Sequence, residues 1–217
     1  MNIARNTSPI MLSIWALLLC AAIVALGLAR WSLAFVSLAT LVLSLVPPIL
    51  ASRWSLTLPV PFLLATTLFF FASIFLGEAL DFYERLWWWD LALHGSSAVG
   101  FGLTGFLFVF MLFKGDRFAA PPSALAFIAF CVAMTIGAMW EIFEFLMDQG
   151  FGMNMQKSGL VDTMGDLMIN AFGSAIASLT GYYYLRHASG GFLGRGLAQF
   201  ISLNKRLYQK SKDRLKK

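Results

Sequence analysis

Residues 122–148 read PSALAFIAFCVAMTIGAMWEIFEFLMD. Up to Trp140 the stretch carries no charge; Glu141, Glu144 and Asp148 then follow on one helical face. An uncharged run of this length suits a helix crossing the hydrocarbon core, which is roughly 30 Å thick and takes about 20 residues. Ionisable groups inside an apolar helix cost several kcal/mol unless they are paired, hydrated or bound to an ion. The same stretch therefore predicts a membrane helix and a polar site near its end.

The rest of the chain agrees. It has 217 residues, of which 59% are hydrophobic and 12% charged, with a mean hydropathy of +0.75. This balance excludes an ordinary soluble domain. Further apolar runs cover 9–29, 32–50, 57–79, 89–113 and 161–185. The expectation is an all-α polytopic membrane protein: a bundle of six transmembrane helices over 1–190, followed by a basic amphipathic cytoplasmic tail over 191–217. The first run follows Arg5 but is longer than a usual signal core and has no small-residue cleavage site, so it reads as an uncleaved span. Cys20 and Cys131 fall within spans and belong to no motif, which predicts two apolar thiols. Pro47-Pro48 is expected to end the second span, while Pro59, Pro61 and Pro121-Pro122 suit helix starts.

Positive charge sets an orientation. With a cytoplasmic N-terminus, Arg5, Arg53, Lys114, Arg117 and the basic tail from Arg186 lie inside, and Arg30, Arg85 and Lys157 lie outside. The expected location is the bacterial cytoplasmic (inner) membrane with both termini cytoplasmic. Trp87, Trp88 and Trp89 then fall at the outer interface, and Tyr182, Tyr183 and Tyr184 at the inner one. The net charge of +5 adjoins membrane spans, so the expected polyanion is anionic lipid and not nucleic acid.

Asp90 and His94 sit in the fourth span, Glu141, Glu144 and Asp148 in the fifth, and Asp162, Asp166 and Asn170 in the sixth. Spacings of three and four keep each set on one face. Stripes of small residues lead to them: Ala98, Gly102 and Gly105 toward His94, Ala133 and Gly137 toward Glu141, and Gly181, Ala177 and Gly173 toward Asn170. Such stripes mark close approach between membrane helices, so the three polar ends should meet in one outward-opening pocket.

Several carboxylates in a low-dielectric pocket must be protonated or must share a cation. Oxygen ligands with one imidazole suit a divalent ion such as Mg, Mn, Ca or Zn. A histidine and carboxylates beside a metal are the parts of a hydrolase or transferase, here acting on a lipid or lipid-linked envelope substrate. The candidate catalytic residues are His94, Asp90, Glu141 and Asp166. The candidate metal ligands are Glu141, Glu144, Asp162, Asp166 and His94, with Asn170 and Asp148 in support. Proton or cation transport, or a purely structural polar knot, are the alternatives. The segment Gln149–Leu160 reads as an outer loop, either a cover over the cluster or a plain connector.

Trp140-Glu141-Ile142-Phe143-Glu144-Phe145, Asp162-Thr163-Met164-Gly165-Asp166 and Asp90-x-x-x-His94-Gly95 resemble motifs of the YjdF-like predicted inner-membrane proteins of bacteria. The pattern Asp-x-x-x-His, then Glu, then Asp166-x-x-x-Asn170-x-x-Gly173 is more distantly similar to VanZ-like membrane proteins. In those proteins Gln tends to stand at the position of Glu144. The first resemblance implies a small polytopic inner-membrane protein without an assigned reaction. The second implies a role at the cell envelope.

Overall fold

Ser8 opens the first helix, its hydroxyl accepting the Met11 amide at 3.2 Å with Pro9 in the first turn. The computed structural model describes residues 7–113, 120–187 and 191–208. Arg5, Lys114 and Arg117, which help set the orientation, and the basic tail beyond Tyr208 lie outside the described residues. The helices are α1 Pro9–Gly27, α2 Trp31–Arg53, α3 Val60–Phe70, α4 Phe82–Arg85, α5 Trp89–Leu112, α6 Pro122–Phe151, α7 Leu160–His187, α8 Gly191–Leu203 and α9 Lys205–Tyr208. A π-helical stretch, Phe71–Ala79, continues α3. No strand occurs among the described residues. The chain divides into two compact units, Met1–Trp89 and Asp90–Lys217.

In the first unit α1 and α2 bury small and hydroxyl-bearing faces: Leu18, Ala22 and Ala25 on one, Ala34, Ser37, Thr40, Ser44, Pro48 and Ala51 on the other. The hydroxyls of Ser37, Thr40 and Ser44 donate to carbonyls of their own helix at 2.7–2.8 Å. They therefore add no unsatisfied polarity to the packed face. Pro47 and Pro48 lie inside α2 and do not end it as expected; the helix runs on to Arg53. With no water in hydrocarbon to take up freed backbone groups, continuing the helix past the two missing donors preserves more bonds than breaking it. In the π-helical stretch Gly77 lets the Tyr83 ring lie against the backbone, and the Tyr83 hydroxyl bonds Ser73 at 3.1 Å.

The second unit contains the polar residues. Glycines let its helices touch: a Cβ on Gly102 would fall 2.5 Å from the Ala177 Cβ, and one on Gly173 would fall 2.5 Å from the Gly95 carbonyl oxygen. The hydroxyl of Ser178 donates to the Ala126 carbonyl, tying α7 to the start of α6. At that end Phe106, Val109, Phe110, Leu125, Ala129, Leu185, Leu197 and Tyr208 form the hydrophobic core. Leu197 and Tyr208 belong to α8 and α9, so part of the C-terminal segment is packed into this core. The Tyr208 hydroxyl donates to the Leu107 carbonyl at 3.2 Å. Burial pushes this phenol above its ordinary pKa, which keeps it a neutral donor.

Five described helices are long and apolar enough to cross a membrane: Pro9–Gly27, Trp31–Arg53, Val60–Ala79, Trp89–Leu112 and Pro122–Phe151. The sixth expected span, α7, is long enough but is not among them. Asp166, Asn170, Ser174, Ser178 and Thr180 dilute its hydropathy. All five are buried, while Met168, Phe172 and Leu179 are exposed. The helix is polar inside and apolar outside. Gly102→Val should lower the melting temperature of the detergent-solubilised protein by roughly 3–10 °C through overpacking against Ala177. Gly100→Val, whose Cβ would meet nothing within 4 Å, should leave it nearly unchanged.

Candidate functional site

The close approach of α5, α6 and α7 brings their polar residues around one imidazole. His94 Nε2 lies 3.6 Å from Asp90 Oδ1 and 4.0 Å from Asp166 Oδ2. His94 Nδ1 lies 3.5 Å from Glu141 Oε1 and 3.3 Å from Asn170 Nδ2. Asp90 is one turn before His94 on α5 and half-buried. His94, Glu141, Glu144, Asp166 and Asn170 are between 1% and 6% exposed. The small-residue stripes act as expected: Ala98, Gly102 and Gly105 on α5, Ala133 on α6, and Gly173, Ala177 and Gly181 on α7 are all buried. Gly137 makes room for Asn170, whose amide nitrogen occupies space within 2.6 Å of where a Cβ would stand.

Polar satisfaction is incomplete. Both oxygens of Glu141, Glu144 Oε2, Asp166 Oδ2, Asn170 Oδ1 and Ser174 Oγ are buried without a hydrogen-bond partner. Thr163 lies near Glu141 without a bond of ordinary geometry. Buried polar atoms in folded proteins are overwhelmingly paired, so these oxygens around a single histidine need protons, water or an ion to complete them. Two groups of side chains have donor atoms within 4.8 Å of one another: Asp90, His94 and Asp166, and His94, Glu141 and Glu144. Either group could hold a metal ion.

Asp148 and Asp162 belong to neither group. The Asp148 carboxylate accepts the Met155 and Gln156 amides at 2.7 and 2.9 Å. Asp162 accepts the Lys157 amide at 3.0 Å. Gln156 Nε2 donates to Thr163 Oγ1 at 2.6 Å. These bonds tie residues 152–159 across the ends of α6 and α7, with Gly152 and Gly159 supplying positive φ angles of 65° and 64°. The half-buried acids at the helix ends thus organise the connecting loop. Lys157 is exposed on that loop and interacts electrostatically with Asp90 and Asp162.

Sequence reasoning missed Trp140, whose indole donates to Glu144 Oε1 at 2.8 Å. The spacing of four was a usable signal, since a helix places those residues on one face. Ser174, too ordinary in the sequence to extend a polar path, is buried one turn beyond Asn170.

A helical protein with several membrane-crossing helices and a buried histidine-carboxylate cluster is a polytopic membrane protein built around a polar site. Residues 11–187 match the family described as "Predicted membrane protein (DUF2238)", and the chain belongs to it. An "Uncharacterized protein" of Thermotoga maritima is 34% identical over 112 residues, which cover 50% of this chain and 57% of the relative. The match thus spans little more than half the length of that relative. No solved structure matches the chain.

Gly137→Ala should push Asn170 away from His94. With only two histidines in the chain, the expected result is a change in the ring 15N shifts of buried His94, with those of exposed His187 unmoved.

Proposed function

We propose that the protein is a six-span protein of the bacterial cytoplasmic membrane whose His94 cluster binds a divalent cation and catalyses hydrolysis or group transfer on a lipid or lipid-linked envelope substrate. One observation carries this reading: unpartnered carboxylate oxygens of Glu141, Glu144 and Asp166 surround His94 at burial levels where charge needs a partner. Mg, Mn, Ca and Zn all suit oxygen donors with one imidazole. A cation there would acidify bound water and stabilise developing negative charge. Glu141 and Asp166 are the principal ligands in this reading, with Glu144 beside them. His94 is the acid/base, oriented by Asp90, and Asn170 orients the ring and its neighbours. Asp162 and Asp148 support the site through the loop they fasten.

The positive-inside bias favours cytoplasmic termini and a pocket opening outward. Counting α7 as the sixth span follows from its length and its apolar outer face. The envelope setting agrees with what the VanZ-like resemblance implies. Against transport stands the aromatic and aliphatic packing of Phe106, Phe110, Leu125, Leu185 and Tyr208, which fills the end of the unit away from the cluster. A conducting path would have to pass through it.

The test is lipid turnover by the full chain in proteoliposomes made from bacterial lipid extract, followed by mass spectrometry. Headgroup release should stop on chelation and return with added Mg or Mn. His94→Gln should lower it by about a hundredfold or more. Absence of turnover together with cation flux across the vesicles would overturn the enzymatic reading in favour of transport.

A further inference from the structure

We propose that the cluster accommodates two divalent cations, one on each side of the His94 ring. This rests on the cation-binding reading above and changes its ligation: Glu141 and Asp166 serve different ions, and His94 Nε2 and Asp90 become ligands. The donor atoms divide by the nitrogen they face. Asp90 and Asp166 oxygens approach Nε2, at 3.6 and 4.0 Å, whereas a Glu141 oxygen approaches Nδ1 at 3.5 Å, with the Asn170 amide nitrogen beside it at 3.3 Å. The two ligand groups of the site share the histidine and nothing else.

A neutral imidazole offers one nitrogen to a metal and keeps a proton on the other. With Nε2 taken by an ion held between Asp90 and Asp166, Nδ1–H is left to donate toward Glu141, the carboxylate-histidine-metal arrangement that orients a ligand ring; the Asn170 amide, whose nitrogen faces Nδ1, turns over in this state so that its oxygen lies on that side. The Nδ1 side still holds unused oxygens. One Glu141 oxygen remains, Glu144 Oε2 is unpartnered while Oε1 is held by Trp140, and Asn170 Oδ1 has no partner. Two carboxylates and an amide carbonyl form a hard-oxygen set of the kind that binds Mg or Mn. Asn170 is only 1% exposed, so its carbonyl cannot turn to bulk water instead.

Charge leads to the same count. Asp90, Glu141, Glu144 and Asp166 surround a histidine that contributes no charge when it ligates. One divalent ion compensates half of the four carboxylates, and two compensate all of them. The basic residue that Asp90 senses, Lys157, is exposed on the loop and is a poor substitute for a cation in the buried half of the site. Helical bundles are suited to paired-metal centres because facing helices project acids inward from several sides, as α5, α6 and α7 do here.

The test counts metal. The full chain in detergent is stripped with chelator, equilibrated with Mn²⁺ and assayed by elemental analysis and electron paramagnetic resonance. Two ions per chain with a spin-coupled signal are expected. Asp90→Asn and Glu144→Gln should each halve the count and leave an isolated-ion signal. One ion per wild-type chain would overturn the two-cation inference while leaving the cation site intact; no bound metal would overturn both. The wild-type count decides the matter even where a variant fails to fold.

Discussion

The contact between Gly173 and the Gly95 carbonyl is the constraint on which the polar site depends. A side chain at position 173 would strike backbone, not a movable neighbour. Only with that space empty can α7 lie against α5 closely enough to bring Asp166 within 4.0 Å of His94. Gly102 against Ala177 repeats the approach farther along, and Gly137 provides the corresponding hollow for Asn170 on α6. In hydrocarbon, close backbone packing supplies the association that water would otherwise drive. The price of exposing acids to lipid is avoided because packing removes them from it.

The polar character of α7 follows from the same arrangement. Its buried face runs through Asp166, Asn170, Gly173, Ala177 and Gly181, while Met168, Phe172 and Leu179 point outward. The opposite end of the unit has the reverse character. Phe106, Phe110, Leu185, Leu197 and Tyr208 fill it with apolar contacts, so the buried acids and the histidine are confined to one end of the three helices.

Much of this was legible in the sequence because membrane helices obey few rules strictly. Long uncharged runs had to be helices, and small residues at intervals of three and four had to be contacts, which placed His94, Glu141 and Asp166 together. Less legible was what depends on side-chain reach. Asp148 and Asp162 share the spacing of the cluster acids, yet they bond loop amides. A pattern on a helical face does not distinguish an inward acid from one that turns back over the helix end. Pro47-Pro48 misled for a related reason: proline stops helices in water, where freed carbonyls find solvent, and that alternative is missing in an apolar setting.

The inverted polarity of α7 has a consequence for biogenesis. A segment with Asp162, Asp166 and Asn170 near one end partitions poorly into lipid by itself, whereas α6 is apolar enough to enter alone. Taken as a span, α7 must therefore be integrated as the second arm of a helical hairpin with α6. The short turn between them, fastened by Asp148 and Asp162, would hold the arms together during insertion.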